Sequence, residues 1–178
     1  IRTPMNGVIG MTSLLKRTEL DEKQRLYFDT IEKSAHSLLM IIDDILDFTK
    51  IEAGRLEIKN AAFDLHDTLA SVGEFFAEPA RQKGLQFSMD MDEHLPGRII
   101  GDSGRVRQVL LNLIGNAIKF TEKGKVSVQV AIAGDDIHQR IRFSVTDTGI
   151  GISKSKQRSV FSEFFQADNT STRQFGGT

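Results

Sequence analysis

The sequence has no cysteine and no tryptophan, and only three prolines and one tyrosine. The absence of cysteine excludes disulfides, thiolate catalysis and zinc–thiolate sites, and it suits a reducing compartment. Lys and Arg (23) nearly balance Asp and Glu (24). This balance excludes the basic excess with which proteins bind nucleic acid or anionic membranes through their overall charge. Any phosphate-binding site in the chain must therefore be local.

Long apolar runs are also missing. None approaches the roughly 20 residues that span a bilayer, and the stretch at 38–42 ends at Asp43. We therefore expect no membrane contact by this chain. The first residue is Ile rather than Met, so we expect a cytoplasmic piece of a longer protein, whose other parts would decide whether it is membrane-anchored.

The composition that remains is that of an ordinary globular protein. Apolar residues make up 39% and charged residues 26% of the 178 positions, which supplies enough apolar side chains for a core. Length and composition leave two arrangements open, namely one ordinary domain or a small helical module joined to an α/β domain.

The N-terminal third predicts a helical hairpin. Residues 22–53 contain no Gly or Pro, Asp21 and Gln24 are spaced as a capping box, and Gly54 is a plausible helix end. Small or apolar residues recur along this helix at heptad spacing, namely Ile31, Ala35, Leu38, Ile42 and Ile45. An earlier apolar stripe predicts a preceding helix, with Val8, Met11, Leu14 and Leu15. We expect these two helices to be antiparallel and to pair with a second copy as half of a dimeric four-helix bundle.

A second domain is predicted to follow, with the boundary between residues 54 and 55. Its strands are expected at 55–59, 85–91, 126–132 and 141–145, its helices at 64–82 and 103–120, and a loop at 92–101. This order of elements predicts an antiparallel or mixed sheet covered on one face, an α/β sandwich, so that the whole chain falls in the α+β class.

The second of these helices carries an unusual polar stripe. Gln108, Asn112 and Asn116 are four residues apart and Lys119 follows three later, so all four lie along one side of the helix. Asn is a mediocre helix former, so two of them in mid-helix favour an external partner. Amide oxygens suit Mg²⁺ and a lysine suits phosphate. A solvated polar face is the alternative interpretation.

The strand that ends at Asp147 is followed by Gly149 and Gly151. Glycines let the backbone approach a flat ligand closely. An aspartate accepts hydrogen bonds but does not donate them, so it suits the exocyclic amine of adenine and disfavours guanine. Taken alone, this pattern is also compatible with a plain turn.

Four segments in sequence order resemble the motifs of the sensor histidine kinase catalytic core, which belongs to the same wider ATPase family as gyrase and the heat-shock chaperones. They are the N box at 112–121, the first glycine box at 147–152, the F box at 161–168 and the start of the second glycine box at 172–178. The resemblance covers essentially the whole chain. It implies binding of ATP and Mg²⁺ and transfer of the γ-phosphoryl group to a histidine on the hairpin, then to an aspartate of a response-regulator receiver domain.

The resemblance also implies roles for particular residues. Asn116 would hold Mg²⁺ with Asn112 nearby, Lys119 would neutralise phosphate, and Arg173 would contact the γ-phosphate. The remaining nucleotide-binding positions implied by the resemblance are Phe120, Asp147, Gly149, Gly151, Ile152, Phe164, Gly176 and Gly177.

The N-terminus, Ile1-Arg2-Thr3-Pro4, is similar to the end of the family's acceptor box. The acceptor histidine is expected just upstream of Ile1 and the rest of the lid beyond Thr178, so this piece alone is not expected to autophosphorylate. Thr3 matches a position that in some relatives places water for dephosphorylation, and a plain hydroxyl on a bundle helix is the alternative.

Two other functions compete with the kinase. One is a non-catalytic dimeric signalling scaffold with a degenerate nucleotide site, which the intact Asn116 and Asp147 disfavour. The other is an ATP hydrolase of the gyrase or chaperone type, in which the residue four before the Mg²⁺-binding Asn is an acidic base. Asn112 stands at that position here.

Overall fold

A computed structural model of the chain describes residues 2–16, 18–134 and 140–159. The chain divides into two compact units, one ending at Glu57 and the other beginning at Ile58.

The first unit contains two helices, α1 (Arg2–Leu15) and α2 (Glu22–Glu52). The Asp21 carboxylate accepts the Gln24 amide at 2.7 Å, and the Gln24 side chain accepts the Asp21 amide at 3.0 Å. This reciprocal capping box satisfies two backbone donors and starts α2 at the predicted residue. Gly54 has φ +62°, which ends the helix in a left-handed conformation that glycine adopts without strain.

The two helices pack through a small apolar contact. Phe28 and Ala35 on α2 are buried, and so is Thr12 on α1. The Lys16 ammonium, just past the end of α1, lies 5.6 Å from the centre of the Phe28 ring and 3.6 Å from the Glu32 carboxylate. The end of α1 therefore lies beside the first turns of α2, as in the predicted antiparallel hairpin.

A second stripe of α2 stays exposed in the single chain. Tyr27, Ile31, Leu38 and Ile45 are spaced by four and seven residues, and each is 43–55% exposed. At 3.6 residues per turn they share one side of the helix, next to the stripe that contacts α1.

The described residues of the second unit form a three-stranded mixed sheet, a separate two-stranded sheet and three helices. The strands are β1 (Ala61–Asp64), β2 (Gln86–Met91), β3 (Arg98–Gly101), β4 (Lys125–Ala133) and β5 (Arg140–Asp147). The helices are α3 (Leu65–Gln82), α4 (Ser103–Phe120) and the short α5 (Lys154–Gln157). In the larger sheet β4 is central, parallel to β2 and antiparallel to β5.

The core of this unit lies between the larger sheet and the two long helices. Alternate residues of β4, namely Val126, Val128 and Val130, are buried against residues of α3 and α4. Asp64 and Asp102 cap the two helices by accepting the amides of Asp67 and Arg105 at 3.0 and 3.1 Å. The predicted arrangement, a helical unit followed by an α/β sandwich, is confirmed.

Two predicted elements are wrong. Residues 55–60 form no strand, and the predicted loop at 92–101 contains β3. The strand near the start of the unit is β1 instead, and it pairs antiparallel with β3 from Ala61↔Gly101 to Asp64↔Arg98. Each strand is four residues long, and the paired residues lie 34 to 40 positions apart in the chain. Such a pairing leaves no periodic pattern long enough to read from sequence.

We expect the stability of the second unit to depend on the charge of Asp102. The backbone amides of Lys59 and Arg105 hold the pKa of this carboxyl below its usual value of 3.8. A lowered folded-state pKa adds stability above the unfolded-state pKa, and this stability is lost as the pH falls through the folded-state pKa.

The Asp102→Asn variant keeps a capping oxygen but has no charge. It should unfold at a lower urea concentration than wild type at neutral pH, with the difference shrinking below about pH 4. Far-ultraviolet circular dichroism of urea unfolding at several pH values measures this. A difference that does not change with pH would contradict the prediction.

Candidate functional site

The polar stripe of α4 is presented to solvent because the opposite side of the helix is fixed in the core. Leu110, Ile114 and Ala117 are buried, whereas Asn112 and Asn116 are exposed. The Asn116 side-chain amide donates to the Asn112 oxygen at 3.1 Å. The structure thus brings the two predicted amides into direct contact, one helical turn apart.

The other two members of the stripe are half-buried. Gln108 accepts a 2.8 Å hydrogen bond from the Arg105 guanidinium, so this side chain is held against its own helix. The Lys119 ammonium lies 5.2 Å from the centre of the Phe120 ring, within the range of a cation–π contact. The cation predicted to meet phosphate therefore lies at the last turn of α4, next to the predicted aromatic.

The Asp147 loop contacts the end of α4 at its backbone. The Ile150 amide donates to the Phe120 carbonyl at 3.4 Å, a long bond. A Cβ placed on Gly149 would lie 2.5 Å from the same Phe120 oxygen. No other residue fits there without moving the loop or the helix end, so glycine is required at this position by space.

A second contact fixes the loop to the turn that follows α4. The Lys125 amide donates to the Thr148 hydroxyl at 3.0 Å, and the Thr148 amide donates to the Lys125 carbonyl at 3.2 Å. Gly124 has φ +116°, and a Cβ on it would overlap the Thr148 hydroxyl. Backbone hydrogen bonds and close glycine contacts therefore hold the loop against the end of α4 and the turn that follows it.

Asp147 lies at the exposed end of β5. One of its oxygens, Oδ1, accepts the Gly149 amide at 2.8 Å, which holds the carboxylate over its own loop. Ile150 and Ile152 beside it are 73% and 45% exposed. Gly151 has φ +66° and open space around its Cα, so glycine is required there by backbone conformation. An exposed carboxylate flanked by apolar side chains suits a flat ring with a hydrogen-bond donor.

Sequence reasoning did not single out Lys83. Its ammonium donates to the carbonyls of Ile118 and Lys119 at 2.6 and 2.8 Å. The partners are 35 and 36 residues away along the chain, so no local spacing signals the contact.

Several predicted site residues fall elsewhere. Phe164, Arg173, Gly176 and Gly177 lie outside the described residues, as do the other F-box phenylalanines. Thr3 is exposed on α1, in the first unit. Among the described residues, no group of three or more His, Cys, Asp or Glu is placed to hold a metal, and no helix is long and apolar enough to cross a membrane.

Two family models match the chain. Residues 1–54 match the His Kinase A (phospho-acceptor) domain. Residues 101–178 match the Histidine kinase-, DNA gyrase B-, and HSP90-like ATPase. The matched segments together account for roughly three quarters of the chain.

Curated relatives align over the whole chain. Hybrid signal transduction histidine kinase L of Dictyostelium discoideum is 44% identical over 100% of this chain and 10% of its own length. Sensor protein GacS of Pseudomonas syringae pv. syringae is 45% identical over 100% of this chain and 20% of its own length. The chain thus spans a fifth or less of the length of these two relatives.

Solved structures of histidine kinases are also similar to this chain. Full-length ShkA in complex with AMPPNP superposes with TM-score 0.72 and 38% identity, covering 96% of this chain and 36% of ShkA. The catalytic domain of histidine kinase ThkA superposes with TM-score 0.51 and 30% identity, covering 62% of this chain and 71% of that domain. ThkA in complex with the response regulator protein TrrA superposes with TM-score 0.58 and 26% identity, covering 93% and 47%.

Both ends of the chain match histidine kinase family models, the relatives are named as such kinases, and the helical and α/β units superpose on histidine kinase structures. The predicted resemblance is confirmed, and the chain belongs to the histidine kinase family.

Proposed function

We propose that this chain is the ATP-binding catalytic core of a two-component sensor histidine kinase. In this proposal the γ-phosphoryl group of ATP is transferred to a histidine of the hairpin helices and then to an aspartate of a response regulator. The observation that carries the proposal is the interlock of α4 with the Asp147 loop. The backbone contact between the two holds the amides and the lysine of α4 at a fixed distance from the Asp147 carboxylate, which is proposed to bind adenine.

Asp147 is the proposed determinant of base specificity. Its Oδ1 is used by the Gly149 amide, and the described residues give Oδ2 no partner. A carboxylate oxygen accepts the exocyclic amine of adenine but repels the carbonyl that guanine presents at the same position. The exposed side chains of Ile150 and Ile152 supply apolar surface for the ring.

Asn112 and Asn116 are the proposed protein ligands of a magnesium ion. Their side-chain oxygens are hard donors of the kind that Mg²⁺ accepts, and the two amides already lie within 3.1 Å of each other. When bound, Mg²⁺ would neutralise charge on the ATP phosphates. Lys119 would add a further positive charge at the last turn of the same helix, and Arg173 is proposed to contact the γ-phosphate.

The first unit is the proposed dimerisation element. Four large side chains of α2 form the exposed stripe of Tyr27, Ile31, Leu38 and Ile45. A hairpin of two helices cannot cover a second apolar stripe by itself, and a second copy supplies a matching one. The match of residues 1–54 to the phospho-acceptor domain family supports this assembly.

The proposed downstream partner is the receiver domain of a response regulator. ThkA, whose fold resembles this chain, has been solved in complex with the response regulator protein TrrA. Thr3 is proposed as the residue that places water when the partner is dephosphorylated. We propose a cytoplasmic location for this part of the protein, because a chain without cysteine suits a reducing compartment.

Phosphoryl transfer is tested with γ-labelled ATP and Mg²⁺. The protein used extends upstream of Ile1 through the expected acceptor histidine and downstream of Thr178 through the expected lid. We expect acid-labile, alkali-stable labelling in the wild type. No label despite ATP binding would instead support the signalling scaffold.

Asn116→Ala should remove the label in that assay and lower the affinity for Mg-ATP by about tenfold or more, because a magnesium ligand is lost. Calorimetric titration with and without Mg²⁺ measures this. Alanine favours helix more than asparagine does, so α4 should remain folded. Asn60→Ala, an exposed asparagine outside the site, is the matched control. Equal affinities in the two variants would remove Asn116 from the site.

Asp147→Asn should reduce the preference for ATP over GTP. The variant keeps an oxygen for the Gly149 amide, but its side chain both donates and accepts. We expect the ratio of the two dissociation constants to change by roughly 5- to 150-fold, as expected for one mispaired polar contact. Competition binding with the two nucleotides measures it. An unchanged ratio would show that Asp147 does not read the base.

Ile45→Glu should convert the dimer to a monomer, because a charge would be buried at the seam between two copies. Light scattering after size-exclusion chromatography measures the mass. Ile51→Glu is the matched control, since Ile51 is similarly exposed at 58% against 52%. It lies about 120° away around the same helix. A dimer that survives Ile45→Glu, or that Ile51→Glu disrupts equally, would contradict the proposed interface.

A further inference from the structure

We propose that Lys83 is a positioning residue for the nucleotide site: its ammonium holds the last turn of α4, and that turn holds the Asp147 loop. This inference rests on the proposed function and extends it. Lys83 belongs to none of the four motifs of the nucleotide site.

The last four carbonyls of α4 have no N–H donor within the helix and need partners elsewhere. The Ala117 carbonyl accepts the Thr121 amide and hydroxyl, at 3.1 and 2.7 Å. The carbonyls of Ile118 and Lys119 accept the Lys83 ammonium. The Phe120 carbonyl accepts the Ile150 amide at 3.4 Å. Lys83 thus engages the two carbonyls that lie between the helix body and the contact with the loop.

The charge of Lys83 suits this location. The C-terminal end of a helix carries partial negative charge on its unpaired carbonyls, and a cation there is stabilising. Hydrogen bonds from an ammonium are stronger than neutral ones, and Lys83 is half-buried, so water competes less for these bonds than at an exposed site. The last turn of α4, which carries Lys119 and Phe120, is therefore clamped from outside the helix.

The backbone on the far side of Lys83 is also fixed. Lys83 is the C-cap of α3, and Gly84 follows with φ +73°. The Gly84 and Leu85 amides donate back into α3 at 3.0 and 2.9 Å, as in a helix-ending turn. The Gln86 amide then donates to the Gly124 carbonyl at 2.9 Å. Lys83 is thereby presented to the end of α4 by a chain segment that is held on both sides.

The loop is sensitive to the position of the helix end. Its bond to Phe120 is long, and Gly149 fits against the Phe120 oxygen with no space to spare. A small displacement of the last turn therefore either breaks the Ile150 bond or pushes on Gly149. Displacements of about 1 Å in a site change binding or catalysis up to a hundredfold. Loss of the Lys83 ammonium is expected to act on nucleotide binding by this route.

The test compares Lys83→Met, which removes the charge but keeps the length, with Lys83→Arg, which keeps a donor group able to reach two carbonyls. Val130→Ala is the control for general destabilisation. Val130 is buried on β4 opposite Phe143, far from the end of that strand that faces Asp147. All measurements use the same extended protein as the phosphoryl-transfer assay.

Amide hydrogen exchange and Mg-ATP affinity are both measured. In Lys83→Met, we expect exchange of the Ile150 amide to accelerate about tenfold relative to the amides of β4, and affinity for Mg-ATP to fall about tenfold. Lys83→Arg should stay within about threefold of wild type on both measures. Val130→Ala should accelerate exchange across the unit without a selective change at Ile150.

Wild-type exchange at Ile150 in Lys83→Met would overturn the inference, as would equal impairment of the Arg and Met variants. Selective acceleration at Ile150 with unchanged ATP affinity would also overturn it, because the helix end would then not control the site. A wild-type chain that binds no ATP would instead overturn the proposed function, a result that the exchange data do not depend on.

Discussion

The candidate site depends on one close backbone approach, that of Gly149 to the Phe120 carbonyl. It joins the end of the helix that carries the amides to the loop that carries Asp147, and any side chain at position 149 would separate them. Thr148 strengthens the joint by bonding to the backbone of Lys125. Polar groups on the two elements are thus held at a fixed spacing, which is the condition for recognising a ligand at both its base and its phosphates.

The core explains why this site can be so polar. Each functional group lies on the solvent side of an element whose other side is buried, as with Asn112 and Asn116 opposite Leu110 and Ile114. Burial of those apolar residues stabilises α4 by more than two mid-helix asparagines cost it. The helix can therefore carry two asparagines on its solvent side and remain folded. The two loop glycines are required for different reasons. At Gly149 there is no room for a Cβ beside the Phe120 carbonyl, and at Gly151 the backbone has a positive φ.

The candidate nucleotide site and the match to the phospho-acceptor family fall on different units. Residues of the candidate nucleotide site that the structure describes all lie after Ile58, whereas the match to the phospho-acceptor family lies in residues 1–54. In a kinase with this division, the nucleotide on one unit must be brought to an acceptor on the other. The rate of transfer then depends largely on how the two units are positioned. The exposed stripe on α2 fits this scheme, because a dimer would provide a stable base for that positioning.

Local signals in the sequence determined most of the secondary structure. The caps at Asp21, Asp64 and Asp102, the stripe of Asn112 and Asn116, and the alternation along β4 and β5 all act between residues a few positions apart, so their spacing is enough to read them. Tertiary structure alone decided the pairing of β1 with β3, the fit of Gly149 against Phe120, and the contact of Lys83 with the end of α4. These contacts join residues that lie far apart in the chain. They form only once the core has set the distance between their elements, and no local periodicity records that distance.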